Sequence, residues 1–380
     1  MIPYGRQHID DADIQAVVDV LKSDWLTQGP AIESFEKALA KYCGAKYAVA
    51  VSSATAALHI ACLAAGVGPG KTVWTVPNTF VASANCALYC GGGVDFVDID
   101  SNLNISIESL EMKLSQAKAP DVIIPVHFSG RSASMEKLHA IARKHNIVVI
   151  EDASHAIGAS QNGAKVGSCK SSDMCVFSFH PVKIITTGEG GMVTTNSDSL
   201  YQKLIRLRTH GITRDSTQMK GESEGPWYYQ QIELGYNYRI TDIQAALGLS
   251  QLNHLDKFVS RRRELVNRYH SLLAHLPVVI PQGSNDHESA WHLYVVRLKL
   301  DQIQRTRREV FEAMRAHGIA VNVHYIPVHL QPFYQAMGFR PGAFPVSEQY
   351  YEEALSLPLF YDLTFEDQDR VVAALKASLA

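Results

Sequence analysis

Between residues 46 and 150 short apolar runs alternate with longer amphipathic stretches, and this alternation restricts the fold more than any other feature of the chain. Residues 47–51, 73–76, 94–97, 122–126 and 147–150 read as strands, and 56–65, 80–90, 106–118 and 135–144 as helices. Strands and helices in strict alternation make βα units and a mostly parallel sheet. Apart from Asp95 and Thr75 the strands are continuously apolar, which fits a sheet covered on both faces. Ligands of such sheets sit just beyond the carboxyl ends of the strands, so the chemistry is expected in the segments that follow each strand.

Two helical stretches, 10–22 and 32–42, precede the alternation. After about residue 255 the texture changes: 261–276 reads as a long helix, 291–296 as a strand, 308–317 as a helix and 321–325 as a strand. A chain of 380 residues has room for one large and one smaller domain, here divided as 1–250 and 251–380. Residues 213–231 are polar and turn-rich with an aromatic cluster, and read as a surface loop or hairpin. The formal net charge is −3 with no basic run, which argues against nucleic acid and anionic membrane as partners. No apolar stretch reaches the ~18 residues of a membrane span, and the N-terminus lacks a signal-peptide core, so the cytoplasm is the expected location. The six cysteines form no CxxC pair. They are expected as reduced core residues, Cys86 and Cys90 sharing a helix face, and no metal site is expected.

Three post-strand segments stand out. In Ser52-Ser53-Ala54-Thr55 small residues let backbone amides approach a phosphate at a helix N-terminus, although Ser and Thr are also ordinary N-caps. In the second, an apolar strand delivers Asp152 and, shortly after it, His155 to one strand end. A buried carboxylate needs a cation, which a protonated pyridine nitrogen would supply; helix capping by Asp152 beside a structural His155 is the plainer alternative. In the third, Val176-Phe177-Ser178-Phe179-His180-Pro181-Val182-Lys183, a strand ends and one lysine follows, and Gly188-Glu189-Gly190-Gly191 then leads into another strand. A packed lysine can lose its proton and act as nucleophile or base, whereas a solvated one is only a loop residue, and the glycines alone indicate a tight turn. Together a phosphate cradle, an acid for a ring nitrogen and a Schiff-base lysine are what pyridoxal 5′-phosphate (PLP) requires of a protein. A nicotinamide-binding sheet would need GxGxxG at the first strand–helix junction, which residues 52–57 lack.

Nearly end to end, the chain resembles the DegT/DnrJ family of sugar aminotransferases. The resemblance is carried by Trp25-Leu26-Thr27-Gln28-Gly29-Pro30, Ser53-Ala54-Thr55-Ala56-Ala57-Leu58, Asn78-Thr79-Phe80-Val81-Ala82-Ser83-Ala84-Asn85 and Glu151-Asp152-Ala153-Ser154-His155-Ala156. It continues in Ser178-Phe179-His180, Gly235-Tyr236-Asn237-Tyr238-Arg239, Asp242-Ile243-Gln244-Ala245-Ala246 and Val323-His324-Tyr325-Ile326-Pro327-Val328-His329. It implies an α/β protein of PLP fold type I, with a large domain on a mixed, mostly parallel sheet and a smaller C-terminal α/β domain. Pro3-Tyr4-Gly5-Arg6-Gln7 and residues 178–187 are most similar to the branch that serves pseudaminic acid synthesis.

By this resemblance Lys183 would bind PLP as a Schiff base, Asp152 would face the pyridine nitrogen, Phe80 would stack on the ring and His155 would lie beside it. Ala54, Thr55 and Ser178 would hold the phosphate. Asn237 would reach it from a neighbouring subunit, implying a homodimer with shared active sites. Many relatives have Ser-Gly-Thr where this chain has Ser53-Ala54-Thr55, so an extra methyl enters the cradle. The implied reaction moves an amino group from L-glutamate to C4 of a UDP-linked 4-keto-6-deoxy-N-acetylhexosamine. Tyr4, Asp24, Trp25, Leu26, Thr27, Arg239, His324 and Tyr325 are the candidates for these substrates, with His329 a further one. Packing at a strand end is the alternative for His324 and Tyr325, and a subunit-interface salt bridge for Arg239. The competing functions are amination of a different nucleotide-linked keto-sugar, a PLP-dependent sugar dehydratase, or PLP binding without turnover. Dehydratase relatives commonly replace the lysine with His, so Lys183 argues against that class.

Overall fold

The computed structural model describes residues 1–281 and 288–380. Helix α1 (Asp11–Leu21) starts on Asp10, which accepts from the amides of Ala12 and Asp13. Helix α2 (Pro30–Cys43) opens on proline and stops at Gly44, whose φ of 76° suits glycine. The alternation follows as β1 (Tyr47–Val51), α3 (Ala54–Ala64), β2 (Thr72–Thr75), α4 (Ala82–Tyr89), β3 (Gly93–Phe96), α5 (Ile107–Gln116), β4 (Val122–Ile123), α6 (Met135–His145) and β5 (Val148–Asp152). A small hairpin, β6 (Ser160–Gln161) and β7 (Ala164–Lys165), leads to β8 (Met174–Ser178), β9 (Gly191–Thr195) and α7 (Asp198–Arg208).

Seven of these strands form one sheet in the order β1-β9-β8-β5-β4-β2-β3. Its ladders are parallel from β8 to β3, and β9 runs antiparallel to both neighbours. Alternate residues of each strand feed opposite layers. Val49, Val51, Met174 and Val176 join the core beneath α3, α4 and α7, while Ala48, Ala50, Cys175 and Phe177 join the one shared with α2 and α8 (Asp242–Leu273). The expected strand at 122–126 is shorter, because Pro125 has no amide to give; Val126 regains a single bridge to Asp152.

The turn-rich 213–231 segment is a hairpin closed by β10 (Ile212–Thr213) and β11 (Gln230–Gln231). Helix α8 begins well before the expected residue 261, because Thr241 and Gln244 form a capping box. It runs unbroken across the 250/251 division, so the two parts share this helix instead of being joined by a linker. The C-terminal part adds β12 (Val278–Val279), β13 (Tyr294–Leu298), α9 (Arg307–Ala316), α10 (Pro332–Ala336), α11 (Pro345–Glu353), β14 (Ala354–Leu357) and α12 (Phe365–Leu379). Its three strands form an antiparallel sheet packed on the second half of α8, α9 and α12.

Residues 321–325, expected as a strand, do not form one. The Asn322 amide alone reaches the sheet, at the Ser356 carbonyl (3.3 Å); Val321 donates to the Ile319 carbonyl (3.1 Å), while Val323 donates to Asn322 Oδ1 (2.8 Å) and Tyr325 to Asn78 Oδ1 (3.3 Å). The N-terminus, grouped with the large part on sequence, pairs with the C-terminal part through Ile2 and residues 318–320, and Tyr4 accepts from the Leu359 amide. Apolar Ile2 completes the C-terminal core. Five of the cysteines are buried and Cys90 is partly so, all free. Among the described residues no helix is long and apolar enough to cross a membrane.

Candidate active site

A cavity of about 670 Å³ opens beyond the carboxyl ends of β1, β2, β5 and β8. It gathers Tyr4, Ala54, Thr55, Phe80, Asp152, His155, Ser178, Lys183, His324 and Tyr325, ten of the residues singled out from the sequence.

Asp152 is the last residue of β5 and is buried. Strand alternation turns Glu151 to the other face, where it binds His127 and Ser172. Asp152 Oδ2 accepts from Ser83 Oγ at 2.6 Å and Oδ1 from the Ser154 amide at 3.0 Å. It has no ion-pair partner among the described residues. Lys183 follows β8 on a turn in which its amide donates to the His180 carbonyl (2.8 Å). Enclosure lowers its pKa from 10.5 to about 8, while the Asp152 carboxylate pulls the other way.

His155 is buried, and its pKa lies well below the usual value through loss of water and then the charges of Lys183 and His324. Its Nδ1 accepts from the Ser129 amide (3.3 Å), so the proton sits on Nε2, 3.0 Å from the Tyr325 hydroxyl. Burial also raises the Tyr325 phenol, keeping it neutral. His324 is pushed down to about 3 by burial and by Lys183. It bonds Ser356 Oγ (2.7 Å) and lies against the Tyr4 ring at 5.4 Å. Phe80 is 59% exposed, a ring presented at the cavity instead of packed in the core.

At the β1–α3 junction Ser53 caps α3 through the Ala56 amide, which leaves the Ala54 and Thr55 amides without intrahelical acceptors. Gly191 presses on this turn: a Cβ there would lie 2.6 Å from backbone atoms of Ser53 and Ala54. Part of the glycine run therefore serves close approach to the cradle, beyond making a turn.

Asp24, Trp25, Leu26 and Thr27 are not on the wall of this cavity. They are exposed at the start of α8, where the Leu26 carbonyl accepts from Asp242. Asn237 is exposed and Arg239 half-buried; the Ser52 amide bonds the Tyr238 carbonyl (2.8 Å), so this segment passes beside the cradle without entering the wall. His329 is buried against Glu348 (2.9 Å) and is a packing residue. Sequence reasoning missed Thr79, Ser83 and His292 as cavity residues. Thr79 and Ser83 lie in a post-strand segment that position alone could have flagged. His292 carried no signal, since only folding sets its ring 4.5 Å from that of His155.

Residues 7–376 match the DegT/DnrJ/EryC1/StrS aminotransferase family. The chain belongs to this family. Among similar proteins, the spore coat polysaccharide biosynthesis protein SpsC of Bacillus subtilis (strain 168) is 38% identical, covering 99% of this chain and 96% of that one. The UDP-4-amino-4,6-dideoxy-N-acetyl-beta-L-altrosamine transaminase of Campylobacter jejuni (serotype O:2) is 37% identical over 97% of this chain and 94% of its own. Helicobacter pylori PseC, an aminotransferase of pseudaminic acid biosynthesis, superposes with a TM-score of 0.90 at 29% identity, covering 100% of this chain and 99% of that one. Spr1654 of Streptococcus pneumoniae in its PLP form superposes with a TM-score of 0.89 at 30% identity, over 99% and 98%. The protein is a PLP-dependent sugar aminotransferase with the fold type I architecture. Its cavity fits the cofactor: a carboxylate lacking a cation, an amine of lowered pKa and free helix-start amides converge on it.

Proposed function

We propose that this sugar aminotransferase transfers the amino group of L-glutamate to C4 of a UDP-linked 4-keto-6-deoxy-N-acetylhexosamine, in pseudaminic acid biosynthesis. One observation carries the chemistry: buried Asp152, with no ion-pair partner among the described residues, and low-pKa Lys183 share one cavity wall. The names of the Campylobacter and Helicobacter relatives support the sugar.

When bound, PLP supplies an electrophilic carbon and a ring that accepts electron density. Lys183 Nζ would anchor it and, when released, would serve as the base that takes the donor's α-proton and as the acid that delivers it to the cofactor's exocyclic carbon. Asp152 keeps the ring nitrogen protonated. The Ala54 and Thr55 amides and the Ser178 hydroxyl hold the phosphate, Phe80 covers one ring face, and His155 borders the ring as a neutral imidazole. Glutamate would give up its amino group and leave as 2-oxoglutarate, its keto oxygen supplied by water, and the same residues would serve the reverse sequence on the sugar ketone, which gains the amino group and releases water. Tyr4, His324 and Tyr325 border the space for substrate; Asp24, Trp25, Leu26, Thr27 and Arg239 remain candidates from outside this wall. Asn237 completes the phosphate site of a partner subunit in a cytoplasmic homodimer.

A second reading, amination of a different nucleotide-linked keto-sugar, is favoured by the equal likeness to SpsC. Turnover on a panel of UDP-linked and other nucleotide-linked keto-sugars tests both. Preference for the UDP-linked L-arabino 4-ketone supports the pseudaminic route, and turnover of another ketone alone contradicts it.

A further inference from the structure

Asp152 is restrained from two elements at once. The Ser154 amide bonds Oδ1 from the turn after β5, and Ser83, in the first turn of α4, bonds Oδ2. Behind Ser83 stands Thr79, with 2.8 Å between the hydroxyl oxygens. All three side chains are buried, at 3% exposure for Thr79, 0% for Ser83 and 5% for Asp152.

The proton order of this chain follows from chemistry. An ionised carboxylate can only accept, so Ser83 gives it its single proton. The Ser83 oxygen can then only accept, so Thr79 donates to Ser83. Such chains strengthen along their length in a low-dielectric interior. A buried helical serine commonly bonds its own helix backbone; Ser83 instead points across to the sheet. Its helix is fixed by Ser83, Ala84, Cys86 and Ala87, all buried. The segment before it is tied down as well, since Asn78 accepts from Tyr325 and the Pro77 carbonyl from the Val328 amide.

We propose that Ser83 and Thr79 are positioning residues that hold the Asp152 carboxylate in register for the cofactor's ring nitrogen, Ser83 directly and Thr79 through Ser83. The proposal rests on the assignment of Asp152 to that nitrogen. With both oxygens restrained, the carboxylate is held against rotation.

The test uses the full-length holoenzyme with ¹⁵N-labelled cofactor, in wild type, Ser83→Ala, Ser83→Thr, Thr79→Val and Asp152→Asn. Readouts are the ring-nitrogen chemical shift, the PLP dissociation constant, and kcat separately from KM for glutamate. Loss of one hydrogen bond to a charged group should lower kcat about tenfold in Ser83→Ala with KM unchanged. The nitrogen signal should move toward that of the unprotonated ring, and Ser83→Thr should restore both. Thr79→Val, which exchanges the hydroxyl for a methyl of similar volume, should shift the same signal in the same direction by less, and reads the chain even if Ser83→Ala does not fold. Wild-type signals and kcat in both Ser83→Ala and Thr79→Val, with Asp152→Asn impaired, would overturn the proposal and leave the Asp152 assignment standing. Full activity and an unmoved signal in Asp152→Asn would overturn the assignment and the proposal with it.

Discussion

Enclosing Lys183 lowers its pKa to about 8, so near neutrality a useful fraction of the amine is unprotonated, as its proposed attack on the cofactor's aldehyde requires. The neutral form is the nucleophile and grows with pH. Capture of PLP by the apoenzyme should therefore accelerate as pH rises toward about 8 and level off above it. Asp152 pulls this pKa upward, so Asp152→Asn should move the inflection to lower pH. Stopped-flow absorbance across pH reads both, and a rate flat through this range would contradict the assignment. Lys183→Ala should lose on the order of 10²–10⁴ in turnover at any pH, because positioned proton transfer is removed. Lys183 and Asp152 were legible because each follows an apolar strand in a sheet whose ligands gather at strand ends. The tautomer of His155 was not, because it depends on the Ser129 amide, 26 residues away in sequence.

The proposed phosphate cradle is a contact between elements: the α3 N-terminus lies on the first residue of β9. Gly191→Ala would drive a methyl into the Ser53–Ala54 backbone, which cannot swing aside like a side chain. It should cost about 1–3 kcal/mol of stability and weaken PLP retention, measured by the denaturation midpoint and by cofactor loss on dialysis. Unchanged stability and retention would mean that the close approach is not needed. The five strands and four helices of the alternation were readable from period and length. Residues 321–325 misled because an apolar-flanked run looks the same whether its amides bond a sheet or, as here, Asn322 and Asn78. The start of α8 is carried by the capping pair Thr241 and Gln244, which stands well ahead of the change in texture near residue 255 that marks the helix in the sequence.

At the scale of the molecule, several large apolar side chains are exposed, and one of them leads into the segment whose Tyr238 carbonyl accepts from the Ser52 amide. Trp25 is 56% exposed, Trp227 71% and Leu234 75%, and Asn237 follows closely on the last. Where such groups form one contiguous patch they mark an interaction surface. In the proposed homodimer each site takes Lys183 from one chain and Asn237 from the other. Mixing Lys183→Ala with Asn237→Ala subunits should then give more activity than the two variants assayed apart, since exchange rebuilds one site free of both lesions. No gain after confirmed subunit exchange would place Asn237 outside the shared site. Surface composition shows where a partner can sit; which atoms cross the interface is fixed only by assembly, and the isolated sequence suggested it through resemblance alone.

The most direct test of the central claim is the absorbance of the purified holoenzyme, recorded before and after L-glutamate and then after the UDP-linked L-arabino 4-ketone. The account predicts that glutamate removes the long-wavelength band of the cofactor bound at Lys183, that 2-oxoglutarate appears, and that the ketone restores the band. A band indifferent to glutamate, or one restored only by a different sugar ketone, would contradict it.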